Sequence, residues 1–439
     1  MIKSEDLGDW RRTHLLKDLN EDLIGKEIQI MGWVSSIRHQ GGIVFIILRD
    51  RDGLIQVTCK ENSNKKVFNS LIKIRPFSCL AVKGELVRET KAPKGIELVP
   101  KEIKVLALAK KQPPFPLYSK KLHNLDQRLD LRAVDLRRPI IQAIFRIRKV
   151  ALESFREFLR DKGYMEINTP KIIATATEGG ANLFPILYYD KEAFLIQSPQ
   201  LYKEQLVMAF DKVYEIASAF RAEKSKTLSH LSEFLSVDVE EAFVDYKDIM
   251  KVCEELTYST LLKVKEKCKE ELDYLGVNLN YIQYPYPRLS YNEIVKELEN
   301  LGHPLNWGED LSSSHLDILG KRYNYFYFIY DWPSQIKPFY IKSKRRNSRI
   351  CESFDLMFGS LEIASGGTRL NSKNQLIRKL KERGLKPKSF EYHIKIFDYG
   401  MPPHAGFGLG FERYLMVLTG VNNIREVTFF PRDQFRLIP

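Results

Sequence analysis

The stretch "FRAEKSKTLSHLSEF" (220–234) combines residue types that bind phosphate and stack on bases. Arg221 and Glu223 stand two positions apart, so in a strand both side chains point to one face. An arginine fixed on a rigid strand can bind phosphate through two parallel hydrogen bonds. A polar loop then leads to His230 and to Phe234, an aromatic ring able to stack on a base. Taken alone, the stretch favours a surface ion pair on a hairpin.

A second stretch, "FDLMFGSLEIASGGTR" (354–369), carries oxygen ligands. Asp355, Glu362 and Ser365 offer hard oxygens of the kind that Mg²⁺ takes from one or two carboxylates together with substrate phosphates. The pair "GG" that follows lets a ligand approach the backbone closely. The alternative for this stretch alone is an ordinary strand and turn.

The third stretch, "PPHAGFGLGFERYLM" (402–416), places Gly406, Gly408 and Gly410 at every second position, with Arg413 three residues on. It matches neither the phosphate loop G-x-x-x-x-G-K-[ST] nor the dinucleotide loop G-x-G-x-x-G. A strand without side chains on one face would instead form a flat platform. We therefore expect a nucleotide to lie on the glycines, with its phosphates held by arginines and Mg²⁺.

Two kinds of element must position these residues. Residues 26–105 show about five short strands and one helix-like stretch, a pattern typical of a small barrel such as an OB-fold, which commonly binds oligonucleotides. A small β-domain with another purpose is the alternative. "AKKQPPFPLYSKK" (109–121) is a typical linker. After it, apolar residues recur at helical spacing, and strands and helices alternate irregularly, which favours a mixed or antiparallel sheet over a parallel one. The sequence thus predicts an α+β protein, with a helical insertion at about 246–330.

Composition narrows the class of protein. The 439 residues suggest two or three domains, and 44% hydrophobic with 28% charged residues is typical of a globular chain. No apolar run reaches the roughly 18 residues that span a bilayer. The five cysteines show no metal-ligand spacing, which favours the reducing cytoplasm. The net charge of +13 suits a polyanionic partner.

Together, the three stretches resemble the signature motifs of the class II aminoacyl-tRNA synthetases. "GYMEINTP" resembles the first motif, with Pro170 at the dimer interface, "FRAE…HLSEF" the second and "GLGFER" the third. "TATEGGANLFP", "QSPQLYKEQL", "FDYGMPPHAGFGLGFER" and the terminal "FPRDQFRLIP" are similar to the archaeal type of aspartyl-tRNA synthetase. The resemblance implies an OB-fold anticodon-binding domain at 1–109, a hinge at 110–138 and a class II catalytic domain at 139–439. This catalytic domain would be an antiparallel sheet flanked by helices.

The resemblance also implies the reaction and its residues. A homodimer would join L-aspartate to ATP with Mg²⁺, giving aspartyl-adenylate, and pass the aspartyl group to the 3′ end of tRNA. The catalytic residues it implies are Arg221 and Arg413, and the ATP-binding residues are Arg221, Glu223, His230, Phe234, Glu362, Gly410 and Arg413. Glu362 and Ser365 would bind the metal. The aspartate-binding residues it implies are Glu178, Ser198, Gln200, Lys203, Asp355, Ser365 and Arg369, with Lys203 and Arg369 at the side-chain carboxylate.

For tRNA, the family's anticodon-reading positions fall on Arg38, Phe45, Gln56 and Glu97, although Phe45 could also belong to the barrel core. Ser35 and Pro93 stand where members strict for aspartate tRNA have Trp and Lys. The chain therefore resembles the relaxed members, which charge both tRNA(Asp) and tRNA(Asn).

Three alternatives stay open at this point: an asparaginyl-tRNA synthetase, a tRNA-binding paralogue without catalysis, and a paralogue that makes free asparagine. Lys203 argues against the first of these, because that enzyme usually has an apolar residue at this position.

Overall fold

The computed structural model describes residues 3–119, 121, 123–174, 183–222, 227–280 and 282–439. It divides into two compact units, one up to Ser119 and one from residue 120 onward. The domain boundaries expected from the sequence, 109 and 138, stay predictions.

The first unit is a closed barrel of five strands in the order β1-β2-β3-β5-β4. Its elements are β1 (Glu27–Gln40), β2 (Ile43–Arg49), β3 (Leu54–Lys60), α1 (Lys65–Leu71), β4 (Cys79–Arg88) and β5 (Ile96–Ala107), with 3₁₀ turns at Glu21–Leu23 and Pro93–Gly95. In β2, Val44, Ile46 and Leu48 are buried and alternate with partly exposed residues, as one face of a strand packs on a core. The predicted small barrel is confirmed.

The second unit is built on an eight-stranded sheet in the order β12-β13-β14-β15-β16-β11-β10-β6. The strands are β6 (Met165–Glu166), β7 (Ile172–Ile173), β8 (Pro185–Tyr188), β9 (Lys191–Leu195), β10 (Lys212–Phe220), β11 (Glu233–Ala242), β12 (Arg288–Ser290), β13 (Phe326–Tyr330), β14 (Ser353–Phe358), β15 (Leu361–Thr368) and β16 (His404–Gly410). The central strands pair antiparallel, and only the two end pairs, β12–β13 and β6–β10, are parallel. Strands β7, β9 and β8 form a separate small sheet.

Helices flank this sheet, as the sequence predicts. They are α2 (Leu125–Asp130), α3 (Arg132–Asp135), α4 (Pro139–Asp161), α5 (Gln200–Phe210), α6 (Tyr246–Lys267), α7 (Lys269–Leu275), α8 (Tyr291–Asn300), α9 (Ser313–Arg322), α10 (Lys373–Glu382), α11 (Glu391–Ile394) and α12 (Phe411–Thr419), with 3₁₀ turns at Pro387–Phe390 and Lys395–Tyr399. Helix α4 begins with Pro139 at its first position, where the missing N–H costs nothing. None of the described helices is long and apolar enough to cross a membrane.

The helical stretch that follows Asp245 consists of two helices. Cys268 has φ −121° and ψ 33°, outside the helical region, so α6 ends at Lys267 and α7 begins at Lys269. At the other end, Asp245 and Asp248 form a capping box that fixes the start of α6. Helices α4, α6 and α12 pack on one another and on β15 and β16, and they form the largest apolar core of the unit.

The segment that the sequence analysis assigns to a hinge contains α2 and α3 and a buried charge cluster. Asp135 accepts hydrogen bonds from Arg128 Nε at 2.9 Å and from Arg132 Nη1 at 2.7 Å. Arg128 also donates to Glu426 at 2.6 Å, and Arg132 donates to the Phe429 carbonyl at 2.9 Å. This cluster therefore anchors the C-terminal segment. The hinge role of residues 110–138 stays a prediction.

Candidate active site

A cavity of about 240 Å³ lies over the centre of the eight-stranded sheet. The sequence-predicted residues that line it are Ser198, Gln200, Arg221, His230, Phe234, Glu362, Ser365, Arg369, Gly410 and Arg413. The antiparallel register explains the convergence, because β16 lies between β11 and β15 and places Gly408 beside both Asp238 and Ser365. Glu178 and Glu223 fall outside the described residues.

The three glycines of β16 do different things. Gly408 and Gly410 line the cavity, as expected for a platform. Gly406 does not line the cavity. A Cβ at this position would stand 2.0 Å from Glu240 Oε2 and 2.2 Å from the Val239 carbonyl oxygen. The missing side chain at Gly406 makes room for a buried carboxylate.

One end of the cavity gathers cationic and aromatic groups. The guanidinium of Arg221 lies 5.4 Å from the centre of the Phe234 ring. Arg413 donates to the Glu362 carbonyl at 2.9 Å and to the Ser229 carbonyl at 3.2 Å. This end presents two arginines from different elements, an arrangement suited to a polyphosphate.

The loop that carries His230 is held by the C-terminal segment. The backbone N–H of Ile424 donates to the Leu228 carbonyl at 2.8 Å, and Arg425 Nη1 donates to the Thr227 carbonyl at 3.2 Å. The His230 ring contacts the Thr227 hydroxyl. The C-terminal segment thereby positions this wall of the cavity.

The floor of the cavity is a buried quartet of charges. Lys203 Nζ lies 3.0 Å from Asp238 Oδ1 and 3.3 Å from Glu240 Oε2, and it donates to the Phe407 carbonyl at 3.1 Å. Arg369 is bound to the other side of Glu240. Two cations and two carboxylates balance, as buried charges must. Lys203 lies beneath the lining residues, whereas Arg369 lines the cavity.

Asp355 is ion-paired to a residue that the sequence analysis did not single out. Lys337 Nζ lies 2.5 Å from Asp355 Oδ2, and Lys337 lines the cavity. Burial raises the pKa of Asp355 to about 6, opposed by the charge of Lys337. Both members of the pair are therefore charged at neutral pH, whereas the Asp355 carboxylate takes up a proton in mild acid.

On the barrel, the four predicted anticodon residues share one face. Arg38 pairs with Phe45 across β1 and β2, Phe45 pairs with Thr58 of β3, and Gln56 pairs with Glu97 of β5. Within β2, Phe45 points to the opposite face of the strand from the buried Val44 and Ile46, so it is not a core residue. Gln56 Nε2 donates to Glu97 Oε2 at 2.8 Å, so this hydrogen bond links two of the polar residues on the face.

The two residues expected to set tRNA specificity lie at irregularities of the barrel. Ser35 is the extra residue of a bulge between Val34 and Ser36, and its hydroxyl donates to the Ile47 carbonyl at 3.1 Å. Pro93 is exposed at the start of the 3₁₀ turn that leads into β5.

A sequence model of the family described as "tRNA synthetases class II (D, K and N)" matches residues 124–434. The chain belongs to this family. The barrel matches a second model, "OB-fold nucleic acid binding domain", over residues 28–106.

Two relatives that match this synthetase over nearly its full length come from archaea. It is 46% identical over 435 residues to the aspartate–tRNA(Asp/Asn) ligase of Methanothermobacter thermautotrophicus, covering 99% of this chain and 100% of the relative. It is also 46% identical to the enzyme of the same name from Archaeoglobus fulgidus, over 96% of this chain and 99% of the relative.

Solved structures of both amino-acid specificities resemble the synthetase. The asparaginyl-tRNA synthetase from Pyrococcus horikoshii, complexed with asparaginyl-adenylate, has a TM-score of 0.93 and 31% identity, covering 98% of this chain and 100% of that chain. The aspartyl-tRNA synthetase from Entamoeba histolytica has a TM-score of 0.84 and 30% identity, covering 98% and 93%. The fold alone therefore does not choose between aspartate and asparagine.

Sequence reasoning missed three charged residues that the synthetase places at or under the site: Asp238, Glu240 and Lys337. Two of them had a signal. In "SVDVEEA", Asp238 and Glu240 alternate with Val237 and Val239, so the acids share one face of a strand. Lys337 had none, because its partner Asp355 comes 18 residues later.

Proposed function

We propose that this synthetase is an aspartate–tRNA ligase that charges both tRNA(Asp) and tRNA(Asn). The observation that supports this best is the buried quartet at the cavity floor. A substrate carboxylate deep in a protein needs cationic partners, and Arg369 lines the cavity while Lys203 lies under it, 3.3 Å from the carboxylate that Arg369 also binds. The side chain of asparagine is an uncharged amide and does not need a cationic partner such as Arg369.

In the first step, an oxygen of the substrate's α-carboxylate attacks the α-phosphorus of ATP. The bond from that phosphorus to the bridging oxygen breaks, and pyrophosphate leaves with its electron pair. No activated protein nucleophile is required, so the protein's task is positioning and charge stabilisation. Arg221 would hold the α-phosphate, His230 and Arg413 the outer phosphates, and Phe234 would stack on adenine. Glu223, expected near the adenine amino group, lies outside the described residues.

The metal site fits a shared Mg²⁺. Among the described residues, no three His, Cys, Asp or Glu side chains cluster closely enough to hold an ion alone. The Glu362 side chain is 47% exposed on the cavity wall, and Ser365 lines the same cavity. One carboxylate and a hydroxyl suit an ion that takes its other ligands from phosphates and water. Glu362 and Ser365 would hold Mg²⁺, which neutralises phosphate charge when bound.

For the amino acid, Ser198, Gln200 and Ser365 line the cavity beside Arg369. Asp355 would attract the α-ammonium group, and Glu178 would assist from the segment outside the described residues. For tRNA, Phe45 would stack on an anticodon base, and the polar residues on its barrel face would read base edges.

We also propose a cytoplasmic homodimer. Among the described strands, β6 is the end of the eight-stranded sheet, and an edge strand presents N–H and C=O groups with which a second copy can pair. Apolar side chains near it are exposed, among them Met165 at 48% and Ile172 at 45%, close to the exposed Pro170. Sedimentation at micromolar concentration tests this state.

The decisive experiment is ATP–pyrophosphate exchange with aspartate or asparagine, followed by aminoacylation of purified tRNA(Asp) and tRNA(Asn). Exchange with aspartate and charging of both tRNAs is expected. Exchange with asparagine alone would identify an asparaginyl-tRNA synthetase. No exchange, with tRNA binding retained, would identify a paralogue without catalysis.

A further inference from the structure

A closed cluster of titratable side chains lies one helical turn from Gln200, outside the residues assigned above. Glu204 of α5 is 1% exposed, and His393 of α11 and His404 of β16 are both 0% exposed. Glu204 Oε2 lies 3.3 Å from His393 Nε2 and 3.6 Å from His404 Nε2. Three separate elements therefore meet at one carboxylate.

Each ring also has a polar neighbour at its Nδ1. His404 Nδ1 lies 2.8 Å from the Pro402 carbonyl oxygen, an acceptor, so this nitrogen carries a proton. The other nitrogen of His404, Nε2, faces the Glu204 carboxylate. His393 Nδ1 lies 3.4 Å from the side-chain amide nitrogen of Gln205.

Glu204 and His404 shift each other's pKa. Burial alone would lower the pKa of His404, but Glu204 raises it above its ordinary value. Burial alone would raise the pKa of Glu204, but contact with both histidines lowers it well below its usual range. Glu204 is thus a permanent anion at neutral pH, and one able to orient a donor.

That donor is Gln200. Its Nε2 lies 2.7 Å from Glu204 Oε1. A carboxylate only accepts hydrogen bonds, so the amide nitrogen must face Glu204, and the amide oxygen is left to act as an acceptor. Gln200 lines the catalytic cavity. The cavity is consequently offered a carbonyl oxygen, which suits an ammonium group.

We propose that Glu204, held by His393 and His404, is a positioning residue that turns the Gln200 carbonyl oxygen toward the α-ammonium group of the amino-acid substrate. The proposal rests on the proposed amino-acid activation.

The test measures ATP–pyrophosphate exchange in two variants of full-length protein. Glu204→Ala removes the acceptor and frees the Gln200 amide, so KM for the amino acid should rise about tenfold or more, as for loss of a hydrogen bond to a charged group. KM for ATP should stay within about twofold, since the outer phosphates lie at the other end of the cavity. Glu204→Gln keeps an oxygen that can accept from Gln200, and it should restore KM to within about threefold of the unmodified protein.

Val207→Ala is the matched control, because Val207 is buried on the same helix in a separate apolar cluster. It should lower Tm and leave KM for the amino acid unchanged. The proposal is overturned if Glu204→Ala leaves that KM within about twofold, or if Val207→Ala raises it equally. Aspartate and asparagine share the α-ammonium group, so KM is compared for whichever of the two the unmodified protein activates. A preference for asparagine would refute the proposed function but not the role of Glu204.

Discussion

Arg369 donates two hydrogen bonds to the carboxylate of Glu240, from Nε at 2.9 Å and from Nη2 at 3.2 Å. Glu240 also lies 3.3 Å from Lys203, so one buried carboxylate connects the two cations expected to select the substrate. Lys203 is surrounded by Asp238, Glu240 and backbone carbonyls, whereas Arg369 lines the cavity. We therefore infer that Arg369 would meet a substrate carboxylate and that Lys203 would balance the charge of the carboxylates beneath it.

Replacing Lys203 with leucine should abolish aspartate activation and leave ATP binding nearly intact. The substitution strands Asp238 and Glu240 as buried carboxylates short of a cation, which repel a substrate carboxylate and cost about 3–5 kcal/mol of stability. Pyrophosphate exchange and urea unfolding measure the two effects. Lys171→Leu is the control. It breaks the ion pair in which Lys171 Nζ lies 2.8 Å from Glu215 Oε1, and neither residue lines the cavity. Exchange within about tenfold of the unmodified enzyme would remove Lys203 from amino-acid selection.

Aspartate binding should weaken in mild acid through Asp355. Burial raises the pKa of Asp355 to about 6, so the carboxyl is neutral below that pH and ionised above it. Only the ionised form attracts an ammonium group. KM for aspartate, followed from pH 5 to pH 8, should therefore rise as the pH falls through about 6. Asp355→Asn should raise KM at pH 8 and flatten the profile; a profile unchanged in that variant would exclude Asp355.

The same shift has a consequence for stability. Because the folded pKa of Asp355, about 6, lies above the ordinary value of 3.8, the native state binds the proton more tightly than the unfolded chain. The resulting contribution is complete below pH 3.8 and is lost as the pH rises through about 6. It runs opposite to that of a carboxylate whose pKa is lowered on folding.

Glu362→Ala should lower pyrophosphate exchange steeply and raise the Mg²⁺ concentration needed for half-maximal rate. Glu362 is the carboxylate of the expected metal pair, and its oxygen lies 3.8 Å from Arg413 Nη1 beside the phosphate end of the cavity. A bridging ion would lose its protein carboxylate. Glu382→Ala, an exposed acid on α10, serves as the control. An unchanged Mg²⁺ titration would count decisively against this role.

The sequence predicts the barrel, the antiparallel sheet and ten of the residues that line the cavity, because strand alternation and short motifs are local signals. Gly408, Gly410 and Arg413 lie close together in the chain, so their pattern is visible without tertiary information. Contacts between residues far apart in the chain cannot be seen in this way. The "RLDLRAVDLRR" run of α2 and α3 looks like a solvated helix, yet Arg128 and Arg132 are buried against residues almost 300 positions later.

That buried cluster makes Asp135 a strong stability site. Asp135→Ala leaves Arg128 and Arg132 without their shared carboxylate, which should cost about 3–5 kcal/mol in the free energy of unfolding. Asp130→Ala, which removes an exposed partner of Arg436, should cost under about 1 kcal/mol. Urea unfolding of both variants checks the contrast. Equal, small losses would show that the arginines find other partners.

Ser35→Trp combined with Pro93→Lys should make the barrel strict for tRNA(Asp). The two anticodons differ at their third letter, C versus U, and discrimination at one base is worth about 1–3 kcal/mol. Proline offers no N–H and no cationic group, so the exposed Pro93 cannot supply a base contact. Ser35 uses its hydroxyl on the Ile47 carbonyl and is too short to press on a base. The double variant should lower charging of tRNA(Asn) about tenfold and spare tRNA(Asp).

Adenylate formation is the internal control for the barrel variant, since every lining residue of the catalytic cavity belongs to the second compact unit. Pyrophosphate exchange should therefore stay within about twofold, and any larger drop would point to misfolding. The comparison needs the unmodified enzyme to charge both tRNAs. If it already rejects tRNA(Asn), the relaxed reading of Ser35 and Pro93 is wrong, and discrimination then rests on the face that carries Arg38, Phe45, Gln56 and Glu97.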